Sequence, residues 1–191
     1  MKKVGLCVCQ ETRNYGSQLQ VLATEVAIQK LGYEYEIIRY KKKYDLKFVI
    51  KSLPRLFNPL LMKGKISSYF LNKKIKKYPE LYEKCKERNR IFDRFAESFF
   101  TKLSPIYYGY DELKDGTKRF DIFLVGSDQV WLPSGLATGF YNLQFVPDEK
   151  LKIAYATSFG VSKIPMYQRN KTAKYLDRFH YLSSREKSGT N

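Results

Sequence analysis

The sequence has little histidine, cysteine or tryptophan, and its 191 residues contain no long apolar run. A transmembrane helix needs about 20 mostly apolar residues, so none is predicted. The apolar run near the amino terminus, Val4–Cys9, is shorter than the roughly 7–15 residues of a secretory signal, and Glu11 and Arg13 follow it closely. We therefore interpret this run as the buried first strand of a cytoplasmic protein.

The three cysteines, Cys7, Cys9 and Cys85, cannot all pair with one another. Cys7 and Cys9 would point to the same face of one strand, which does not suit a disulfide. No further cysteine or histidine lies near them to complete a zinc site. The single histidine, His180, has no metal-spaced partner. We expect buried thiols, a structural histidine and no metal site.

Acidic residues are scarce in one part of the chain. Residues 39–90 carry 17 lysines and arginines but only 4 acidic residues, within a chain of net charge +16. The basic character therefore belongs to one segment, and it predicts an anionic neighbour such as nucleic acid, anionic lipid or an acidic glycan. Nucleic acid is the less favoured partner because the basic residues form no known reading motif.

The rest of the chain is typical of a folded α/β domain. Apolar residues recur with helical spacing from Ser17 to Leu31, between two short apolar runs, and this pattern predicts a β-loop-α-β unit. The predicted strands are Val4–Cys9, Tyr35–Ile38, Phe120–Val125, Lys152–Thr157 and Tyr181–Ser184. We predict a Rossmann-like, mainly parallel sheet with helices on both faces.

A basic, aromatic-rich helical insertion is predicted at about residues 41–100. Within it, Tyr44–Met62 interleaves cations with apolar residues, and Ile66–Leu71 precedes four lysines. Apolar side chains edged by cations suit the interface of an anionic membrane. The alternative is an insertion that packs its apolar side on protein, which Pro54 and Pro59 favour because they interrupt a continuous helix.

Two further helices are predicted, at Pro79–Phe99 and Pro165–Phe179. The first begins with proline near its first turn, a favourable position for that residue. Its predicted buried face consists of Leu81, Cys85, Arg88, Phe92, Phe95 and Phe99.

Four polar loops follow predicted strands, and ligands of parallel α/β sheets bind beyond the carboxyl ends of the strands. The loops are Gln10–Gly16, Gly126–Trp131, Ser158–Gly160 and Arg185–Gly189. We expect them to share one edge of the sheet. Asn14, Gly16 and Ser17 offer close backbone approach and polar groups at a helix start, although an ordinary capping turn has the same sequence.

The stretch from Gly126 to Trp131 combines a hydroxyl, a carboxylate, an amide and the only indole, as a carbohydrate site does. In it, Gly126, Ser127 and Trp131 are candidate binding residues, and Asp128 is a candidate general base toward an acceptor hydroxyl. The alternative is a helix cap followed by a core tryptophan. Ser158 and Arg185 are further candidates. Arg185 can clamp a carboxylate or phosphate, or pair with Glu186.

Taken in order, these motifs resemble the polysaccharide pyruvyl transferase family. The matching stretches are Asn14–Leu19, Asp121–Trp131, Lys152–Gly160 and Leu182–Gly189. The resemblance implies two Rossmann-like halves of the glycosyltransferase-B type. It also implies transfer of a pyruvyl group from phosphoenolpyruvate, with no other cofactor, to a hexose of a cell-wall or capsular glycan, forming a ketal. Leu132-Pro133 stands where the family often has Asn-Pro.

By the same resemblance, residues 1–191 form the amino-terminal half, which contributes the acceptor-side loops. The general acid and most donor-binding cations are expected in a second domain that this chain lacks, so the isolated chain is expected to be inactive. Expected partners are a glycan or lipid-linked glycan and an anionic membrane at its cytoplasmic face. The alternatives are a non-catalytic truncated domain, or a basic module that binds nucleic acid or an anionic surface.

Overall fold

The computed structural model describes residues 2–43, 59–133 and 139–186, and it confirms the predicted α/β fold. Six parallel strands form one sheet in the order β3-β2-β1-β4-β5-β6. The strands are β1 (Lys3–Cys7), β2 (Glu34–Lys41), β3 (Leu103–Tyr108), β4 (Ile122–Asp128), β5 (Leu151–Thr157) and β6 (Tyr181–Ser184). The helices are α1 (Tyr15–Lys30), α2 (Pro59–Lys76), α3 (Pro79–Phe99), α4 (Gly109–Gly116) and α5 (Met166–Leu176), with a 3₁₀ turn at Thr117–Arg119.

The chain divides into two compact units. The α/β unit comprises Met1–Lys42 and Phe99–Asn191, and the helical unit comprises Lys43–Ser98. The helical unit contains α2 and nearly all of α3. Over the ranges described above, neither unit has a helix that is long and apolar enough to cross a membrane.

Two different layers cover the faces of the sheet. Val4 and Leu6 lie on the face against which α1 packs, and Val21 and Ile28 of that helix are buried. Cys7 and Val125 lie on the opposite face, in a cluster with aromatic residues of the segment between β4 and β5. The right-handed crossovers typical of parallel sheets place α1 and α5 on opposite faces.

All five predicted strands are present, with their ends shifted by up to three residues, but β3 is missing from the sequence prediction. Pro105 interrupts the strand pattern there, and proline is tolerated in strands mainly at sheet edges and bulges. β3 is an edge strand, and its register with β2 shifts beside this proline. The Ser104 hydroxyl accepts the Arg39 N–H at 3.0 Å and so satisfies the backbone at the irregularity.

The apolar spacing predicts α1 correctly, but most of the residues that create the spacing are not buried. Leu19, Val26 and Leu31 are 57%, 41% and 68% exposed. The buried side of the helix is instead made of Ser17, Gln18, Val21, Glu25 and Ile28. Burial of polar side chains is tolerated where they find hydrogen-bond partners. Ser17 has one in Asp128, and Glu25 has one in Tyr35, although the Glu25 Oε2 has none among the described residues.

The predicted buried face of α3 is wrong in part. Phe92 is buried, and Cys85 and Phe95 are half-buried, but Leu81, Arg88 and Phe99 are exposed. The Arg88 guanidinium lies over the Phe92 ring, 4.8 Å from its centroid. A long cationic side chain can cover an apolar neighbour while its charged group stays in water, which explains why Arg88 follows the apolar spacing without being buried.

Glu25 is a buried acid between α1 and the sheet. Its side chain is 3% exposed, and the Tyr35 hydroxyl donates a hydrogen bond to it. Burial raises the pKa of Glu25 to about 7, and it outweighs the lowering effects of the Tyr35 hydroxyl and the Lys102 charge. The folded state therefore holds the Glu25 proton more tightly than an unfolded chain does.

This burial predicts a pH-dependent stability. The contribution of Glu25 to the free energy of unfolding is complete below its ordinary pKa of 4.5 and is lost as the pH rises through about 7. The Glu25→Gln variant should lose much of this dependence, whereas Glu34→Gln, at an exposed position, should keep it. Urea unfolding at several pH values between about 5 and 8 measures the difference. Equal pH dependence in Glu25→Gln and the wild type would contradict the prediction.

Candidate functional site

The first site loop ends in a helix cap. Asn14 has an extended backbone, and its side-chain oxygen accepts the Ser17 backbone N–H at 3.2 Å. This bond satisfies one of the backbone donors that have no partner within the first turn of a helix. The Asn14 side chain fits closely over Gly16, because a Cβ at Gly16 would lie 3.2 Å from the Asn14 Oδ1. Asn14 and Gly16 are exposed, and Ser17 is buried.

The second site loop begins inside strand β4. Gly126 has φ of +119°, and a Cβ there would collide with the Tyr155 carbonyl oxygen of β5. The neighbouring Ser127 hydroxyl donates to the Ala156 carbonyl at 2.9 Å. Asp128 also has positive φ, +92°, and its Oδ1 accepts the Gln129 N–H at 2.8 Å. The end of β4 is thus fixed closely against β5.

A side-chain hydrogen bond joins these two loops. The Ser17 hydroxyl donates to the Asp128 Oδ2 at 2.8 Å, although the residues are 111 positions apart. Strands β1 and β4 are parallel neighbours, so the loops that follow them emerge at the same edge of the sheet. Asp128 is half-buried, and each of its carboxylate oxygens accepts one bond.

Ser158 connects the second loop to the residues that follow β6. Its backbone N–H donates to the Asp128 carbonyl at 3.0 Å, and its buried hydroxyl donates to the Glu186 Oε1 at 2.5 Å. The Arg185 guanidinium lies 3.7 Å from the same Glu186 oxygen, and its side chain is 49% exposed. Arg185 therefore pairs with Glu186, as one of the two sequence interpretations has it, while part of the guanidinium faces solvent.

Trp131 lies in the core, and this packing corresponds to the alternative interpretation of its motif. The side chain is 3% exposed, and its ring packs against Phe159 and Phe179 with centroid distances of 5.4 and 5.8 Å. The indole N–H donates to the Tyr141 carbonyl at 3.0 Å. The ring in this structure has no face open for stacking on a sugar. Trp131 instead anchors the end of the Gly126–Trp131 loop in the core.

Sequence reasoning missed two side chains beside these loops as site residues. The half-buried Cys9 thiol donates to the Tyr141 hydroxyl at 3.5 Å. Burial raises the pKa of both groups, and the Asp128 charge raises that of Cys9 further. The hydrogen bond with Tyr141 lowers the pKa of Cys9, but burial outweighs it, and the thiol lies within electrostatic range of Asp128. Glu186, the acceptor of the Ser158 bond, is predicted from the sequence only as a partner for Arg185.

The sequence also predicts that the chain has no metal site and that His180 is a structural residue. Across residues 2–43, 59–133 and 139–186, no three histidine, cysteine or acidic side chains cluster in a way that holds a metal ion. The His180 Nδ1 accepts the Lys152 backbone N–H at 3.2 Å. This ring nitrogen thus has a structural partner at the junction of β5 and β6.

One comparison with known proteins gives a result. A model of the family described as polysaccharide pyruvyl transferase matches residues 14–191, and this range includes every candidate site residue. No curated protein and no solved structure matches the chain.

Because β4 and β5 approach each other closely at Gly126, we predict that no residue with a side chain is tolerated at this position. Gly126→Ala should destabilise the protein by about 3 kcal/mol or more, because the new Cβ meets backbone and the positive φ is strained. Gly32→Ala is the matched control, since Gly32 has φ of +77° but open space around it. That variant should lose only about 1 kcal/mol, the backbone term alone. Urea unfolding compares the two variants, and equal losses would show that the contact with Tyr155 has no effect.

Proposed function

The chain belongs to the polysaccharide pyruvyl transferase family, and on this premise we propose that it provides the acceptor side of a pyruvyl transferase. The enzyme moves a pyruvyl group from phosphoenolpyruvate to a hexose of a cell-surface polysaccharide and forms a ketal. The observation that carries the proposal is the hydrogen bond between Ser17 and Asp128, because it joins two polar loops into one site. The proposed location is the cytoplasm, where phosphoenolpyruvate is produced.

The chemistry of ketal formation requires a proton acceptor near the sugar. Two sugar hydroxyl oxygens form bonds to C2 of the donor, the bond from C2 to the phosphate oxygen breaks, and the methylene carbon gains a proton. One hydroxyl proton is in effect transferred to that carbon, and the other leaves with phosphate or solvent. A carboxylate within hydrogen-bond reach of a sugar hydroxyl removes such a proton.

Asp128 is the residue that we propose as this base. Its two oxygens accept bonds from the Ser17 hydroxyl and the Gln129 N–H, which orient the carboxylate. A carboxylate has about four acceptor positions, so each oxygen keeps capacity for a sugar hydroxyl. Ser17 is accordingly proposed as a positioning residue. Asn14, Gly16, Ser127 and Ser158 are proposed to shape the acceptor site around the carboxylate.

Arg185 is the proposed contact for the anionic donor. Its distance of 3.7 Å from Glu186 is long for a charge-assisted hydrogen bond. The exposed part of the guanidinium therefore keeps donors for a carboxylate or a phosphate. We further propose that a second domain supplies the general acid and the remaining donor-binding cations, since catalysis needs reacting groups held together.

The proposal predicts a graded loss of activity in a full-length family member with the same motifs. The equivalent of Asp128→Asn should lower turnover by about 10²–10⁴-fold, the usual contribution of a general base. Ser17→Ala should lower it by about tenfold, because the carboxylate loses one orienting bond. Asp115→Asn, which alters an exposed acid on α4, is the control and should have no effect. Phosphate release with phosphoenolpyruvate and a glycan acceptor measures turnover.

Two outcomes would contradict parts of this proposal. Unchanged turnover in the Asp128→Asn variant, with normal thermal stability, would make Asp128 a structural residue. Ketal formation by the 191-residue chain alone, above the uncatalysed background, would show that no second domain is needed and that the acid lies elsewhere in this chain.

A further inference from the structure

We infer that one side of helix α2 is a docking surface for an anionic lipid bilayer. This α2 surface consists of Ile66, Tyr69, Phe70, Lys73, Lys74 and Lys76 of the helix and Lys77 directly after it. The sequence-based membrane prediction also includes residues 44–58, which lie outside the described part of the chain. The inference from the structure rests on the second half of α2 and does not depend on the reaction proposed above.

The apolar part of the α2 surface is open to solvent. Ile66, Tyr69 and Phe70 are 48%, 65% and 61% exposed, and they lie on one side of the helix because their spacing is i, i+3 and i+4. The rings of Tyr69 and Phe70 contact each other edge to face, with centroids 5.8 Å apart. Ile75, which lies on the opposite side of the helix from Ile66, is half-buried. Leu71, one turn before Ile75, is itself 57% exposed. Most of the apolar side chains described in the second half of α2 are therefore open to solvent.

The cationic part lies directly beside these rings. Lys73 and Lys74 are one turn beyond Tyr69 and Phe70, and Lys76 and Lys77 follow. All four lysines are exposed, and α2 contains no acidic residue and no arginine. None of the four forms an ion pair with a carboxylate of the residues that the structure describes.

The next helix along the chain, α3, differs from α2 in that its cations form ion pairs. Its cations are balanced within the helix, since Lys86 pairs with Glu83, and Arg90 and Arg94 both pair with Glu87. Helix α2 has no such internal balance, so its positive charge is available to an external anion. Charge complementarity therefore favours an anionic partner for α2 and not for α3.

The chemistry of the α2 surface fits a bilayer better than a nucleic acid. Aliphatic and aromatic side chains enter the boundary between headgroups and acyl chains, and lysines beside them extend to the lipid phosphates. A nucleic acid offers stacking for rings but no apolar layer for Ile66. Proteins that read phosphates and bases rely heavily on arginine, and α2 carries none.

Co-sedimentation of the whole chain with lipid vesicles tests the inference. Vesicles of phosphatidylcholine containing about a third phosphatidylglycerol should bind the protein, and pure phosphatidylcholine vesicles should not. Each lysine is expected to contribute about a fivefold factor to partitioning. Lys→Gln substitution at positions 73, 74, 76 and 77 should therefore lower binding by several hundredfold, on the order of four such factors multiplied. Tyr69→Ser with Phe70→Ser should lower it about tenfold or more, because apolar burial is lost.

Matched controls come from exposed residues of the α/β unit. Lys→Gln at positions 2, 30, 163 and 174 removes the same charge, and Met166→Ser with Tyr167→Ser removes similar exposed apolar surface. Both controls should bind as the wild type does, and circular dichroism should show that all variants are folded. Weak binding to both kinds of vesicle would overturn the inference. So would equal losses in the controls, or lysine-dependent binding to an RNA oligonucleotide without binding to vesicles.

Discussion

The hydrogen bond from the Ser17 hydroxyl to the Asp128 carboxylate is the contact on which the candidate site depends. It forms because parallel strands bring their carboxyl ends to one edge, where the start of α1 meets the end of β4. Ser17 is positioned for it by the Asn14 cap, and Asp128 by a backbone with positive φ. The capped start of α1 and the strained end of β4 thus form one polar site only because β1 and β4 are neighbours in the sheet.

The parallel sheet could be predicted from the sequence because its strands are short apolar runs followed by polar loops. The sequence pattern fails where a local rule is offset by a tertiary contact. β3 is not predicted from the sequence because Pro105 is unusual within a strand. Its position at the edge of the sheet and the hydrogen bond of Ser104 make the proline acceptable there. The spacing in α1 indicates a helix but not its buried side, because that side is decided by tertiary contacts. Ser17 finds its partner on β4, 111 positions away, and Glu25 finds its partner on the next strand, β2.

The candidate site, like the fold, can be predicted from the sequence only in part. That the loops after β1 and β4 emerge at one edge follows from the order of motifs along the chain. The position of Trp131 does not, since one sequence describes equally well a sugar-stacking ring and a core ring. Its burial is decided by Phe159 and Phe179, together with the Tyr141 carbonyl that accepts its indole N–H. An aromatic residue in a polar loop indicates a ligand only when its ring remains exposed.

The core position of Trp131 helps to explain how the Asp128 backbone keeps its unfavourable conformation. The Asp128 carbonyl accepts the Ser158 N–H, and the Ser158 carbonyl accepts the Trp131 N–H. The Trp131 indole then bonds to Tyr141, whose hydroxyl accepts from Cys9 just beyond β1. Ser17 lies at the end of the loop that follows β1, and its hydroxyl donates to the Asp128 carboxylate. Strain at one residue persists when several contacts determine its position. The bonds to the Asp128 carbonyl from Ser158 and to its carboxylate from Ser17 and Gln129 are such contacts.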